Sequence, residues 1–347
     1  MNRQQREFYK IFAEHGSGDA KVAITAKELI LLLHICHVDI YGPDRAEWML
    51  DGFYELALQG LYKVSYREID SLPDKEEDTA FAFMEQLGVT DGGNILFLYM
   101  KNLSDLYRRR FKYHAILKNQ PFPNAEQIGP RSLLEFGNCE ESLLADWLEW
   151  RKWIYDIDNR SAQETGYVFE PILYSCLGGE SVSAANSPVK RIGEDGKKTN
   201  NGRQIDCYLK EEKEVYELKM RVTIAASGQG RFKEEMSFPY EAMRAGLTPI
   251  LVVFDENESP LLTKLKAQYE ECGGKVYVGR DAWQMLSERA GREMSIFINK
   301  YLFPPVNAME SLMNSEPHDI YFKNNDGKVI ISNGEDEYII ERNKDCE

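Results

Sequence analysis

The first 120 residues repeat apolar side chains at the spacing of an α-helix. The segments AKELILLLHICHVDIY, EWMLDGFYELALQGLYKV and NILFLYMKNLSDLYRRRFKYHAIL place apolar residues three and four positions apart, which lines up one face of a helix. Residues 119–132 then hold three prolines and a glycine, and a helix does not run through such a stretch. We therefore predict a helical N-terminal region, residues 1–125, as a recognition or dimerisation region.

The pattern changes in the second half of the chain. Helical spacing predicts two helices, Leu143–Ile157 and Gly166–Leu177, the second stopped by a pair of glycines. Residues 204–222 then alternate apolar and polar side chains, which is typical of two strands, with the charged run 211–214 as the turn between them.

Further helices and strands alternate after this hairpin. Helices are predicted at about 229–245 and 260–271, with strands in TPILVVF and KVYVG. The order predicts an α/β fold, α+β overall, with the core domain at residues 126–300. Residues 301–347 alternate around the turn signals Asn-Asp-Gly and Asn-Gly, and we expect a small C-terminal β meander there.

Composition narrows the class of protein. The formal net charge of −15 excludes a protein that coats nucleic acid by bulk charge, so any DNA site must be local. Six cysteines without CxxC spacing are typical of a reduced intracellular chain and not of a zinc ribbon. The N-terminus carries no apolar signal segment and no stretch is long enough to span a membrane, so we expect a cytoplasmic protein.

One group of metal-binding residue types lies in the first half. His34, Cys36 and His37 could suggest zinc, but Cys36 lies on a different helical face from the two histidines. No fourth ligand is evident in the sequence. We therefore expect these side chains to pack in the core.

The predicted hairpin carries the pattern D-x10-E-x-K as Asp206, Glu217 and Lys219. The same short acid-x-Lys tripeptide occurs at least three further times, but in turn-like stretches without defined geometry. Here Glu217 and Lys219 are two residues apart in a strand, so they project from one face. A four-residue turn at 211–214 would place Asp206 opposite Lys219 and diagonal to Glu217.

This arrangement indicates a divalent metal. Two carboxylates at close range repel each other unless a cation lies between them, and oxygen ligands with water suit Mg²⁺. Lys219 beside the metal would orient or deprotonate a water that attacks a phosphodiester. Hydrolysis of nucleic acid is therefore the predicted reaction.

These residues and their surroundings resemble the PD-(D/E)xK nuclease superfamily over roughly residues 140–290. The matching tracts are GYVFEPILYSCLGG, GRQIDCYL and VYELKMRV, followed by a helix and a core strand, and Ile205 stands where the superfamily's proline would be. The resemblance implies a mixed central sheet flanked by helices. It also implies Glu170 as an accessory acid in the preceding helix, for which Glu164 is a rival.

The resemblance further implies how the site binds its metal. Asp206, Glu217 and the main-chain carbonyl of Leu218 are the expected Mg²⁺ ligands. The tracts RKWIYDIDNRSAQETGYVFEP and ELKMRVTIAASGQGRFKEEMSFP look like type II restriction endonucleases of the ApaLI-like group. That group implies Mg²⁺-dependent cleavage of double-stranded DNA at a short palindrome, a six-base GTGCAC-like site.

A palindromic site mirrors two-fold symmetry, so we expect a homodimer. A DNA methyltransferase would be its functional partner. Two rival functions remain open: a DNA repair or junction-resolving nuclease with the same hairpin, and a non-enzymatic DNA-binding protein whose hairpin charges are solvated.

Local basic stretches could bind the phosphates that the net charge does not attract. Residues 101–120 carry six Lys and Arg against one Asp, and the loop at 186–203 leads into the catalytic strand. The alternative for both is a solvated surface. A third stretch, SGQGRFKEE, opens a helix and suits phosphate or base contacts. The candidate DNA-binding residues are Arg108, Arg109, Arg110, Lys112, Lys190, Arg191, Lys197, Lys198, Arg203, Gln229 and Arg231.

Overall fold

The computed structural model describes residues 1–15, 22–92, 94–193, 196–220, 229–257, 259–313 and 319–343. The N-terminal elements are α1 (Arg3–Ala13), β1 (Glu14–His15), β2 (Val22–Ala23), α2 (Ala26–Tyr41), α3 (Phe53–Gln59), α4 (Tyr66–Ser71), α5 (Glu77–Gln86), α6 (Ile95–Asn119), α7 (Ala125–Ile128) and a 3₁₀ turn (Gly129–Ser132). The middle elements are α8 (Glu141–Leu177), β3 (Glu180–Val182), β4 (Lys190–Ile192), β5 (Lys198–Gly202), β6 (Ile205–Leu209), β7 (Glu214–Lys219), α9 (Gln229–Arg244) and β8 (Thr248–Val253). The remaining elements are α10 (Pro260–Glu271), β9 (Lys275–Val278), α11 (Arg280–Arg289), α12 (Gly291–Phe297), a π-helix (Ile298–Leu302), α13 (Phe303–Met313), β10 (Tyr321–Asn325), β11 (Lys328–Ser332) and β12 (Glu337–Glu341).

The chain divides into two compact units by its internal contacts. The first unit combines Met1–Val168 with Pro304–Glu347, and the second unit is Phe169–Phe303. The three domains expected from the sequence, 1–125, 126–300 and 301–347, stay a prediction about folding units. Within the described ranges, no helix combines the length and the apolar composition needed to cross a lipid bilayer.

The first unit is mainly helical, as the apolar spacing predicted. Helix α2 begins at a capping box, in which Thr25 and Glu28 bond each other's backbone N–H groups. The segment around α3 is helical for fewer residues than its pattern indicated. Gly52 and Gly60 bound that helix with φ angles of +77° and +81°, a conformation that interrupts a right-handed helix.

His34 lies in the core of this unit, where backbone groups contact both of its ring nitrogens. Its Nδ1 lies 2.7 Å from the carbonyl oxygen of Ile30, and the Leu50 N–H donates to Nε2 at 2.9 Å. Burial lowers the pKa of His34 to about 4, which keeps the ring neutral. The Cys36 thiol donates to the Met100 sulfur, so the predicted core packing of His34 and Cys36 is confirmed.

Helix α8 corrects the prediction of two separate helices. It runs without interruption from Glu141 to Leu177. Residues 158–165 lack apolar spacing, but they contain neither glycine nor proline, so nothing in the sequence stops the helix there. Gly178, at φ +75°, ends it where the sequence indicated.

The second unit is built on a central mixed sheet with the strand order β3-β6-β7-β8-β9. β3, β6 and β7 pair antiparallel, while β7, β8 and β9 pair parallel. Helices α9 and α10 pack on the sheet through a core that includes Val215, Leu251 and Leu265. The expected α/β fold with a mixed central sheet is confirmed.

The hairpin of β6 and β7 forms with a register that differs by two residues from the expected one. Tyr208 pairs with Val215 and Leu209 with Glu214, so the turn is 210–213 and not 211–214. Lys213 adopts a positive φ of 58° in this turn. Continuing the register places Asp206 opposite Glu217, with Lys219 diagonal to it. The polar face is unchanged, because a shift of two keeps every side chain on its side of the sheet.

The predicted C-terminal meander forms over Tyr321–Glu341, whereas Phe303–Met313 of the predicted region 301–347 is the helix α13. β10, β11 and β12 pair antiparallel in sequence order. Asp326 and Gly327 both have positive φ angles, 45° and 70°, which is the backbone conformation that a tight hairpin turn requires. Val329 and Ile340 of this meander pack with Trp153 in a core cluster of the first unit.

Candidate active site

A polar pocket of about 290 Å³ opens in the second unit where the hairpin faces helices α8, α9 and α10. The structure brings four of the predicted site residues to this pocket. The described lining is Glu170, Arg191, Arg203, Gln204, Asp206, Glu217, Lys219, Glu234, Glu235, Phe238, Leu265 and Tyr269. Carboxylates outnumber cations in this lining, so the pocket attracts positive charge.

The Asp206 carboxylate occupies a gap at the end of the hairpin ladder. Backbone pairing of β6 and β7 ends with Cys207 opposite Tyr216. The next inward-facing N–H, that of Leu218, donates to Asp206 Oδ2 at 2.9 Å. The N–H and C=O of one strand residue point the same way, so the Leu218 carbonyl faces the side of the strand on which Asp206 lies.

Lys219 lies between two carboxylates. Its Nζ is 2.6 Å from Glu217 Oε1 and 3.6 Å from Oε1 of Glu235, which helix α9 contributes. All three side chains are mostly buried. Burial lowers the pKa of Lys219, but Glu217, Glu235 and Asp206 together outweigh it and raise that pKa above its ordinary value. The ammonium group is therefore held in its charged, hydrogen-bond-donating form.

Burial and mutual repulsion both act on the acids of the pocket. Burial, and then the charges of Glu217 and Glu170, raise the pKa of Asp206 well above its ordinary value. Burial, and then the charge of Glu217, likewise raise the pKa of Glu170. A cation placed among these carboxylates would relieve both penalties.

The donor set therefore fits a hard divalent cation. Carboxylate oxygens with a main-chain carbonyl and water are the ligands that Mg²⁺ takes in proteins. Among the described residues, no three His, Cys, Asp or Glu side chains are placed to hold a metal together. The predicted ligand set contains only two such side chains, Asp206 and Glu217, and so does not depend on a third.

Arg203 corrects a predicted DNA contact. Its guanidinium is buried, forms an ion pair with Glu241, and donates to Ser237 Oγ and to the Glu234 carbonyl. These protein groups accept three of its N–H donors, which leaves little of the guanidinium for a phosphate. Arg203 instead fastens the start of β6 to α9.

Two functional positions were missed in the sequence. Glu235 contacts Lys219, and Glu241 binds both Arg203 and the Ile192 N–H. Both acids lie on α9, six residues apart, in a helix that also carries apolar core side chains. The sequence signal for them is a pair of acids close to the apolar face of the helix. A helix on the protein surface shows the same pattern, so the signal does not identify a site.

The loop before the catalytic strand forms the antiparallel pair of β4 and β5. Arg191 lines the pocket and forms an ion pair with Glu234 at 2.9 Å. Lys198 is exposed and donates to the Arg244 carbonyl. Lys190 is half-buried and Lys197 exposed. The predicted phosphate contacts of these four residues are sterically open and stay a prediction.

The basic stretch on α6 is different. Arg108 is buried, forms an ion pair with Asp105 and donates to the Phe12 carbonyl. Lys112 is also buried, and Arg110 donates to the Leu61 carbonyl at 2.5 Å. α6 is an interior helix of the first unit, so the predicted DNA contacts of Arg108 and Lys112 do not fit their burial.

Arg109 of the same stretch is half-buried and is not placed against DNA by any feature of the structure. The side chains of Gln229 and Arg231 lie outside the described residues, and so does that of Glu164, the rival of Glu170. The predictions for these residues stay as the sequence made them.

Comparison with known proteins places the chain in a family. Residues 62–303 match the family model described as ApaLI-like restriction endonuclease. A relative, "Type II restriction enzyme ApaLI" from Acetobacter pasteurianus, is 38% identical over 348 aligned residues, covering 95% of this chain and 91% of the relative. No solved structure matches the chain. On the family match and the extent of this similarity, the chain belongs to the ApaLI-like restriction endonuclease family.

Proposed function

We propose that this type II restriction endonuclease hydrolyses double-stranded DNA at a short palindrome with Mg²⁺ bound in the hairpin pocket, on a PD-(D/E)xK core. The observation that carries the proposal is the convergence of Glu170, Asp206, Glu217 and Lys219 on one pocket from a helix and two paired strands. A buried group of like charges with one lysine is costly to fold, and cation-dependent chemistry explains its presence.

Asp206, Glu217 and the Leu218 carbonyl are the proposed metal ligands, with Glu170 as the accessory acid. The bound metal would polarise the scissile phosphate and supply a water of lowered pKa. The hydrogen bond from the Leu218 N–H fixes Asp206 Oδ2, which leaves Oδ1 for the ion. The carboxylates would attract the metal by their negative charge, and the bound ion would offset the cost of burying them together.

Lys219 orients the attacking water in this proposal. The sequence left open whether it orients or deprotonates the water, and the raised pKa of Lys219 supports orientation by a charged donor. As a metal ligand, Glu217 would share its negative charge between the ion and Lys219. Glu235 then remains as the counter-ion that keeps the ammonium group in the pocket.

DNA would be held by cations around the pocket mouth, namely Arg191 after it exchanges Glu234 for a phosphate, with Lys190, Lys197 and Lys198. The proposed substrate is a six-base GTGCAC-like site, cut by a homodimer in the cytoplasm. A DNA methyltransferase of the same specificity would protect the host DNA. These proposals rest on the sequence resemblance and on the position of the β4–β5 loop beside the pocket.

Digestion of a long mapped DNA with Mg²⁺, followed by sequencing of the ends, tests the function. Discrete ends within one palindrome are expected, and Asp206→Ala should yield none. Nicks that follow branched structures and ignore sequence would instead favour the repair or junction-resolving alternative. Binding without any cleavage in Mg²⁺ would contradict the assigned pocket.

Substitution of Glu235 tests the role of the counter-ion. Glu235→Gln should lower the single-turnover rate about tenfold and leave the dissociation constant for DNA in Ca²⁺ unchanged, because the residue positions Lys219 and does not contact DNA. Glu271→Gln, an exposed glutamate of α10 outside the pocket lining, is the matched control and should keep the rate. Equal rates for Glu235→Gln and the wild-type protein would show that Lys219 needs no such partner.

A further inference from the structure

An apolar surface lies exposed on the first unit. The turn 133–136 contributes side chains that are among the most exposed apolar groups of the chain, with Leu134 at 89% and Leu133 at 82%. The start of α8 adds Trp147, which is 53% exposed. We call this surface the α8 face, and its members are Leu133, Leu134, Phe136, Leu143, Trp147 and Ile154.

The turn and the helix form one continuous surface. Leu143, Trp147 and Ile154 are spaced by four and seven residues, so they follow one another along the same side of α8. Arg151 of α8 binds Glu135 of the turn at 2.7 Å, and its guanidinium lies 5.9 Å from the Trp147 ring. These contacts hold the turn against the exposed side of the helix.

The internal packing of α8 uses other side chains. Leu144, Leu148 and Trp153 are buried, and they lie at other angles around the helix axis. The exposed apolar side chains together offer roughly 300–600 Å² of surface, taking about 150–250 Å² for each aromatic and about 60–120 Å² for each aliphatic side chain, scaled by its exposure. That area is comparable to the apolar share of one side of a standard protein interface, which buries about 800 Å² per partner. It is also as large as the largest apolar patch of a typical monomer, and such patches are often functional.

We propose that the α8 face joins two copies of this chain. Residues 131–155 hold five acidic and three basic side chains, so the surface does not attract DNA. A two-fold interface sets one surface against itself, and an apolar stripe is complementary to its own copy. Glu135 and Arg151 neutralise each other at its edge within one copy, so they place no unpaired charge against the same surface of a second copy. The inference rests on the homodimer of the proposed function and names its surface.

Sedimentation equilibrium of the full chain, without DNA or metal, tests the inference. The wild-type protein is expected to be dimeric at micromolar concentration. Trp147→Glu would bury a charge in the interface and should weaken the dimer at least about 30-fold. Leu134→Ser lies in an exposed turn that tolerates polar residues and provides a milder second variant, which should weaken the dimer in the same direction.

Leu58→Glu is the matched control, because Leu58 is a leucine of the same unit that is 46% exposed outside the α8 face. It should keep the wild-type dimer. A monomeric wild-type protein, or a dimer that both α8-face variants leave intact, would overturn the inference. Asp206→Ala protein should be inactive yet dimeric. Cleavage therefore tests the nuclease assignment and the oligomeric state tests the interface, and either can fail without the other.

Discussion

Replacement of Asp206 by asparagine should separate activity from stability. In the folded protein, burial and the charges of Glu217 and Glu170 raise the pKa of Asp206 well above its ordinary value. Asparagine is nearly isosteric, and its amide oxygen can accept the Leu218 N–H bond that Asp206 Oδ2 accepts now. The variant thus removes one negative charge from the pocket and keeps the local packing.

The expected effects have opposite signs. Removing one of several buried like charges relieves their mutual repulsion and the cost of burial, so the metal-free variant should gain unfolding free energy at neutral pH, by about 0.5–2 kcal/mol as single stabilising substitutions commonly do. Loss of a metal ligand should lower cleavage about 10³-fold, which corresponds to about 4 kcal/mol of transition-state stabilisation. A gain in stability with a loss of function is typical of a residue retained for chemistry.

The stability gain of Asp206→Asn should depend on pH in a defined direction. Because the folded pKa lies above the unfolded one, ionisation of Asp206 favours the unfolded chain once the pH rises above the usual aspartate range. The advantage of the asparagine variant should therefore grow from about pH 4 upward. Urea unfolding in EDTA at several pH values measures it, with Glu212→Gln in the exposed hairpin turn as control. Equal or lower stability of Asp206→Asn at neutral pH would refute the reasoning.

Four further perturbations address other parts of the molecule. Lys219→Gln should reduce single-turnover cleavage by 10²-fold or more and leave DNA affinity in Ca²⁺ unchanged; a near-normal rate would remove the residue from the mechanism. Arg108→Gln should cost about 3 kcal/mol of unfolding free energy, because it leaves Asp105 buried without its guanidinium partner. By contrast, Lys198→Gln should keep the stability and flatten the slope of log K against log salt by about 0.9, if Lys198 contacts a phosphate. Acidification from pH 6.5 to about 4 should destabilise the fold by roughly 3 kcal/mol through His34, because His34 is protonated in the unfolded chain but stays neutral in the core. Urea unfolding of His34→Gln should show a smaller dependence of the unfolding free energy on pH over that range.

The sequence predicted those features that follow from local periodicity. Alternation along residues 204–222 located β6 and β7 and put Asp206, Glu217 and Lys219 on one face, because side-chain direction depends only on odd or even position. The family resemblance, and not local periodicity, predicted that Glu170 belongs to the same site. The register of the hairpin was wrong by two residues, since a run of charged residues does not mark which of them closes the turn.

Features that depend on tertiary packing were not predictable in the same way. The basic residues of α6 looked like a surface because charge usually is solvated, yet Asp105 and backbone carbonyls satisfy them inside the protein. The same holds for Arg203, whose partner Glu241 lies 38 residues further along the chain. A count of Lys and Arg residues does not show that Asp105 or Glu241 pairs with them. It therefore cannot distinguish a buried cation from one that contacts DNA.

The two-residue register difference in the hairpin has a consequence for how such enzymes tolerate insertions and deletions. A slip by two leaves Asp206 and Glu217 on the pocket side, whereas a slip by one would turn the apolar side chains of Cys207 and Leu218 into the pocket. Loss or gain of residues at the exposed turn 210–213 should therefore leave the chemistry intact, because the loop changes length while the strands keep their register or slip by two. A single-residue insertion or deletion within either strand should abolish cleavage, because it shifts the pairing by one.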